Sequence, residues 1–150
     1  MIDDAAAQAF VERNRSAAMT TLRADGTPHT VRVGIAVVDG KIWSSSTQAR
    51  ARTRHLRLDP RSTLFVFDSA WAYLTLECRV TLLEGSDVPE QSVGLFQVMQ
   101  QGISPAPGPG KLLWNGAAKT LEEFKQAMRD EKRLIYEFDV VRSYGMYGES

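Results

Sequence analysis

Hydrophobic and polar positions recur with two different periods along this chain. Ala6, Ala9, Phe10 and Arg13 fall at helical spacing behind Asp3 and Asp4, either of which can cap a helix running to about Asn14. From Ser16 the period drops to two. Ser16 to Arg23 reads as a strand, Ala24-Asp25-Gly26-Thr27 as a turn, and Pro28 to Val38 as a second strand. Asp39-Gly40 signals a hairpin into a third strand, Lys41 to Ser46, so the first half reads as an antiparallel meander. In the second strand Val31, Val33, Ile35 and Val37 form the core face. Arg32, Gly34 and Ala36 form the other, where the bare glycine lets a flat ligand or another backbone approach.

Thr47 to about Leu58 has the pattern of a short helix closed by Asp59-Pro60. Ser62 to Asp68 and Trp71 to Glu84 are two further strands joined at Ser69-Ala70. In the longer one Leu74, Leu76, Cys78, Val80 and Leu82 alternate with Tyr73, Thr75, Glu77, Arg79 and Thr81, which makes Cys78 a core residue rather than a nucleophile. Pro89 to Gln101 is helical by pattern, with Val93, Phe96 and Met99 on one side and Gly102 as its stop. Ile103 to Gly110 carries three prolines and reads as a loop. Thr120-Leu121-Glu122-Glu123 is a capping box that opens a helix through about Arg129. The last strand runs from Lys132 to Val141, with Leu134, Tyr136, Phe138 and Val140 on one face. About six strands with short flanking helices predict an α+β barrel.

The chain has 150 residues, 43% hydrophobic, with 18 Lys and Arg against 18 Asp and Glu. One domain is expected, burying roughly 70% of its unfolded surface. A single cysteine excludes an intramolecular disulfide and a thiolate zinc site within one chain, and points to a reducing cytoplasm. No signal-peptide pattern opens the sequence and no apolar run approaches the roughly 20 residues of a membrane span. Neutral net charge argues against general adhesion to nucleic acid. The average conceals an asymmetry. Residues 50–61 hold Arg50, Arg52, Arg54, Arg57 and Arg61 against Asp59, a local +4, leaving the remaining chain with 13 basic and 17 acidic residues, or −4.

That cationic stretch follows Ser44, Ser45, Ser46 and Thr47, so a strand delivers four hydroxyls to a helix N-terminus, where free amides and the helix dipole favour an anion. A phosphate fits there. On a helical wheel Arg50, Arg54, Arg57 and Arg61 share an outer stripe, whereas Arg52 shares the stripe of Ala49 and Leu56. A guanidinium held against the body of a protein wants a permanent anion. The spacing alone is equally compatible with a solvated basic helix paired to the acidic remainder. His29 and His55 form no metal motif, no nucleophile elbow surrounds the serines, and no phosphate loop or dinucleotide fingerprint is present. An anion cradle without nucleophile or metal suits a protein whose bound organic cofactor does the chemistry.

The runs Met19-Thr20-Thr21-Leu22-Arg23-Ala24-Asp25-Gly26-Thr27-Pro28-His29 and Ala51-Arg52-Thr53-Arg54-His55-Leu56-Arg57-Leu58-Asp59-Pro60-Arg61 resemble the pyridoxamine-5′-phosphate-oxidase-like split β-barrel family. Within it the chain is similar to the actinobacterial flavin/deazaflavin oxidoreductase B group, many of whose members use coenzyme F420. The resemblance implies a homodimer of mainly antiparallel split barrels with two cofactor sites at the subunit interface. It places the cofactor phosphate against Ser45, Arg50, Arg52 and Thr53, with Ser44 and Ser46 alongside. It sets the ring near Arg32 and Val33, and has Trp71 of the neighbouring subunit close the site. Arg52 stands where the family has a phosphate-binding lysine and Arg32 where it often has Asn. The C-terminal run Arg142-Ser143-Tyr144-Gly145-Met146-Tyr147 lacks the Arg-Leu ending of true pyridoxamine-phosphate oxidases, which argues against vitamin B6 oxidation.

What the resemblance implies is an F420-dependent reductase, transferring hydride to a conjugated or heteroaromatic small-molecule acceptor. Arg32 would stabilise developing negative charge and Tyr144 would be the proton donor. The alternatives are an FMN-dependent oxidoreductase of the same fold and a non-catalytic carrier of F420 or haem.

Overall fold

The computed structural model describes Ile2 and residues 4–148. Helix α1 (Ala5–Arg13) precedes β1 (Ser16–Leu22), β2 (Pro28–Gly34), β3 (Ala36–Val38) and β4 (Lys41–Thr47). There follow α2 (Ala51–Leu58), β5 (Arg61–Phe67) and β6 (Tyr73–Leu83), and then α3 (Val88–Met99), β7 (Lys111–Trp114), β8 (Ala117–Thr120), α4 (Leu121–Asp130) and β9 (Arg133–Met146). Asp4 is the α1 cap, accepting from the Ala6 and Ala7 amides; Asp3 lies outside the described residues.

Seven strands form one antiparallel sheet in the order β2-β1-β5-β6-β9-β4-β3. Its two edge strands, β2 and β3, are consecutive in the chain and separated only by Ile35, so the sheet must curl until its edges meet. Across that seam Ser44 Oγ donates to the Gly34 carbonyl at 2.6 Å. The strand expected over 28–38 is therefore broken at Ile35, whose amide donates to the Arg15 carbonyl at 3.0 Å. Closing the barrel imposes that corner. The expected meander stops there too, because β4 pairs with β3 and β9 rather than with β2.

The alternation sorts side chains as the sequence predicts. Met19, Val33, Leu64, Leu74, Leu76, Leu134, Tyr136 and Phe138 fill the interior. Cys78 belongs to this core, and burial pushes its thiol up to about 12, so it holds no nucleophilic thiolate at neutral pH. Strand β9 runs five residues beyond its expected end at Val141, past a bulge where the β6 register shifts between Glu77 and Cys78. Gly145 permits this, since a Cβ there would collide with the Tyr73 carbonyl.

Between β6 and β9 the chain builds a smaller layer with its own core of Val93, Leu112, Phe124 and Met128. The capping box forms, with Thr120 and Glu123 each accepting the other's amide. Asn115 and Gly116, with φ of 52° and 78°, turn β7 into β8, a hairpin the sequence reading left out although Asn-Gly signals it. Helix α3 packs Leu95 against Ala36 and Ile135, while Arg15 donates to the Met99 and Gln101 carbonyls at its C-terminal end. The space beside Gly34, expected to admit a flat ligand, is taken by the Met99 side chain.

Candidate functional site

The functional geometry centres on the junction between β4 and α2. Pairing of β4 with β9 extends through Thr47 opposite Arg133, so the helix expected from Thr47 starts at Ala51, and Arg61 lies on β5 rather than on the helical stripe. The N-cap residue Arg50 makes no side-chain cap, and the first turn of α2 contains no acid. Among the described residues the Ala51 and Arg52 amides have no hydrogen-bond partner. Arg50, Arg52 and Arg54 thus gather at the positive end of a helix dipole, an arrangement an anion would stabilise.

Arg52 decides between the two readings of this basic stretch. It is half-buried, its Nε is enclosed without a hydrogen-bond partner, and among the described residues no carboxylate pairs with it. Its guanidinium sits 5.8 Å from the centre of the Tyr136 ring. Burial pulls its pKa below the ordinary arginine value; Tyr136 offsets part of this, and Arg50 and Arg133 add to it. The neighbouring Arg54, Arg57 and Arg61 side chains are engaged. Arg57 reaches Glu84 and Gln48 at 2.6 Å each, Arg61 reaches Asp59 at 2.8 Å, and Arg54 donates to the Ala49 carbonyl at 2.7 Å. Arg57 and Gln48 hold the Glu84 carboxyl at about 2. The solvated-helix reading therefore describes Arg57 and Arg61, whereas Arg52 has no carboxylate partner among the described residues.

The pleat separates the hydroxyls that the sequence places side by side. Ser44 lies opposite Tyr136 and Ser46 opposite Leu134, on the interior face; Ser45 lies opposite Ile135 on the other face, beneath α3. Ser44 is buried and committed to Gly34. Thr53 is also engaged, donating to the Thr47 carbonyl at 2.8 Å and hydrogen-bonded to the Tyr136 hydroxyl. The Ser45 and Ser46 hydroxyls are buried without partners. The groups open to a phosphate are thus Arg52, Arg50 and the first-turn amides, with Ser46 on the same side of the strand. They fit such a group by charge and by their lack of other partners.

Arg32, Val33, Trp71 and Tyr144 lie apart from this junction. Val33 faces the core, so only its backbone is available, and Arg32 is exposed with a 3.4 Å contact to Ser16 Oγ. Arg32, Ala18, Phe65, Thr75 and Tyr144 form one cross-strand row on the outer face. Four strand spacings separate its ends, roughly 19 Å at about 4.8 Å each, so one chain does not bring Arg32 and Tyr144 together. The Glu77 carboxylate beside Tyr144 raises its pKa and makes it a weaker acid. Trp71 is 90% exposed in the β5–β6 turn, near the Tyr73–Met146 pair. Met146 is ten residues along β9 from Tyr136, roughly 33 Å of strand at about 3.3 Å per residue. Within one chain Trp71 therefore lies far from the β4–α2 junction.

The sequence reading passed over three residues here. Tyr136 read as core and Arg133 only as part of the last strand, yet Arg133 is clamped by Glu131 at 2.9 Å and stacked on Trp114 at 4.9 Å. His55, on α2, meets His29 with ring centres 5.0 Å apart, and its Nδ1 lies 2.9 Å from Thr21 Oγ1. Nothing local predicts that contact, since the two histidines lie 26 positions apart on different elements. Burial first, then the charges of His29, Arg23 and Arg54, hold the His55 pKa below the usual imidazole value. The unfolded chain therefore takes up the His55 proton more readily. The stabilisation is present in full above about pH 6.5 and is lost as pH falls through the lower folded value. Thermal unfolding should show Tm falling between pH 7.5 and 5.5, and the fall should be shallower in His55→Gln.

A curled antiparallel half-barrel with short flanking helices is a split β-barrel of the α+β class. The chain belongs to the pyridoxamine 5′-phosphate oxidase family, whose model matches residues 3–146. Solved structures share the fold. A conserved hypothetical protein from Mycobacterium tuberculosis superposes with a TM-score of 0.71 at 21% identity, over 98% of this chain and 86% of that one. An F420 reductase superposes with a TM-score of 0.64 at 17% identity, over 91% and 94%. An FAD-binding protein from Mesorhizobium loti gives 0.60 at 13% identity, over 93% and 88%. Among the described residues no helix is long and apolar enough to cross a membrane, and no group of three metal-ligating side chains gathers.

Proposed function

We propose that this chain is an F420-dependent reductase acting as a homodimer, with the cofactor phosphate held by Arg52 and the first turn of α2. The observation that carries the reading is Arg52 itself, half-buried at a helix N-terminus with no carboxylate partner among the described residues. Family membership and the fold shared with an F420 reductase support it. When bound, the reduced deazaflavin supplies hydride to a conjugated or heteroaromatic acceptor. Arg50, exposed at the helix start, is placed for an acidic tail. Arg32, exposed on the outer face beside the β2 backbone, is placed to stabilise charge at the ring's edge. Tyr144 holds its proton more tightly than an ordinary phenol, because its hydroxyl is hydrogen-bonded to the Glu77 carboxylate.

The second subunit enters through the outer face. Phe65, Phe67, Trp71, Tyr144 and Met146 are exposed together there, with Phe65 5.5 Å from Phe67 and 5.4 Å from Tyr73, ring to ring. A twofold pairing of this face would cover it and bring Trp71 to the partner's site. FMN is the second reading, since the cradle recognises phosphate rather than ring. Titration of the purified protein with F420 and with FMN decides: tighter F420 binding is expected, and tighter FMN binding transfers the assignment. Binding of neither overturns both. Stopped-flow oxidation of bound reduced F420 across an acceptor panel then separates an enzyme from a carrier.

A further inference from the structure

We propose that Tyr136 is the positioning residue of the anion site, fixing Arg52 through its ring and the start of α2 through its hydroxyl. This rests on the anion-binding reading of Arg52 above. Tyr136 is fully buried on β9, opposite Ser44, and its ring lies beneath the Arg52 guanidinium. Its hydroxyl meets Thr53, the residue after Arg52. The direction of that hydrogen bond follows from proton counting. Thr53 has one hydroxyl proton and donates it to the Thr47 carbonyl at 2.8 Å, so the phenol is the donor and Thr53 the acceptor.

A single side chain thus ties three elements together: β9, on which it stands, the end of β4 through Thr53 and Thr47, and the first turn of α2. With no carboxylate to orient it, Arg52 gets its place from the aromatic face below and from the anchored turn that carries its backbone. The phenolic proton is spent inside the barrel, so Tyr136 acts on the ligand through Arg52 and is not a proton donor to it.

A double-mutant cycle on F420 affinity tests this. Tyr136→Phe keeps the ring and loses the hydroxyl's contacts with Thr53 and with the Arg52 side chain, an expected loss of about fivefold. Tyr136→Leu removes the ring as well, an expected loss of about 30-fold or more. In an Arg52→Ala background Tyr136→Leu should change affinity by less than about twofold. Phe138→Leu, a core change on the same face with its ring 6.4 Å from that of Tyr136, controls for damage to the fold and should leave affinity within about twofold. Equal losses from Tyr136→Leu in both backgrounds, or an equal loss from Phe138→Leu, would overturn the proposal.

The Arg52 Nε–H resonance in the ligand-free protein gives an independent readout, because a ring beneath the guanidinium displaces it. Tyr136→Leu should move that resonance and Tyr136→Phe should largely preserve it; a resonance unmoved in Tyr136→Leu refutes the contact. If wild type binds neither F420 nor inorganic phosphate, the functional reading fails, and the resonance alone still decides whether Tyr136 holds Arg52.

Discussion

Arg52→Ala is expected to cost about 2–5 kcal/mol of F420 binding, roughly 30- to 4,000-fold in Kd. The size follows from the site: Arg52 is already half-desolvated and its Nε is enclosed, so a phosphate seated on it forms a pair that water screens poorly. Arg52→Lys should recover part of the loss, because the ammonium keeps the charge but not the planar fork that lies over Tyr136. Arg57→Ala should cost less than about 1 kcal/mol of affinity, since Arg57 is committed to Glu84 and Gln48 on the outer side of α2. Titrations of the three variants at one salt concentration check this. If Arg52→Ala binds like wild type while Arg57→Ala does not, the anion lies on the other face of the helix.

Phe67→Asp should convert a micromolar solution of dimers into monomers. Phe67 is 54% exposed at the end of β5, its ring 5.5 Å from that of Phe65 in the outer aromatic patch, so in the proposed dimer the new carboxylate would be buried unpaired. Such burial costs on the order of 3 kcal/mol or more. Light scattering measures the change, and cofactor affinity should fall with it, because Trp71 would no longer cover a neighbouring site. A wild-type monomer that still binds cofactor would remove the interface model. Trp71→Ala separates the two effects: it should weaken F420 binding and leave inorganic phosphate affinity unchanged. Equal losses for both ligands would mean that the dimer or the fold had been damaged.

Much of the barrel was readable from local chemistry. Alternation assigned the inner faces of β2, β6 and β9 residue by residue, because a strand with one buried face has no freedom in its phase. Thr120 and Glu123 identified the α4 start through a reciprocal contact three residues apart. The errors fall where distant segments meet. The break at Ile35, the extension of β9 to Met146 and the filling of the Gly34 space by Met99 each depend on elements far away in the chain. The Asn115-Gly116 hairpin is different, since its signal is local and lies in a stretch, 111–119, to which no element was assigned.

At the site, the amino-acid order by itself determined that a dense cluster of arginines follows a strand into a helix, and that Arg52 points inward while Arg57 points out. Those are matters of sequence spacing and helical period. Only the tertiary structure decided which charges remain unsatisfied. Glu84 neutralises Arg57 from just past the end of β6, 27 residues along the chain, whereas Asp59 takes Arg61 locally. The strand β9, which begins 80 positions after Thr53, carries the tyrosine beneath Arg52. A charge becomes a binding group when its neighbours leave it unpaired and partly desolvated, and those neighbours are chosen by the closing of the barrel rather than by the residues next to it in the chain.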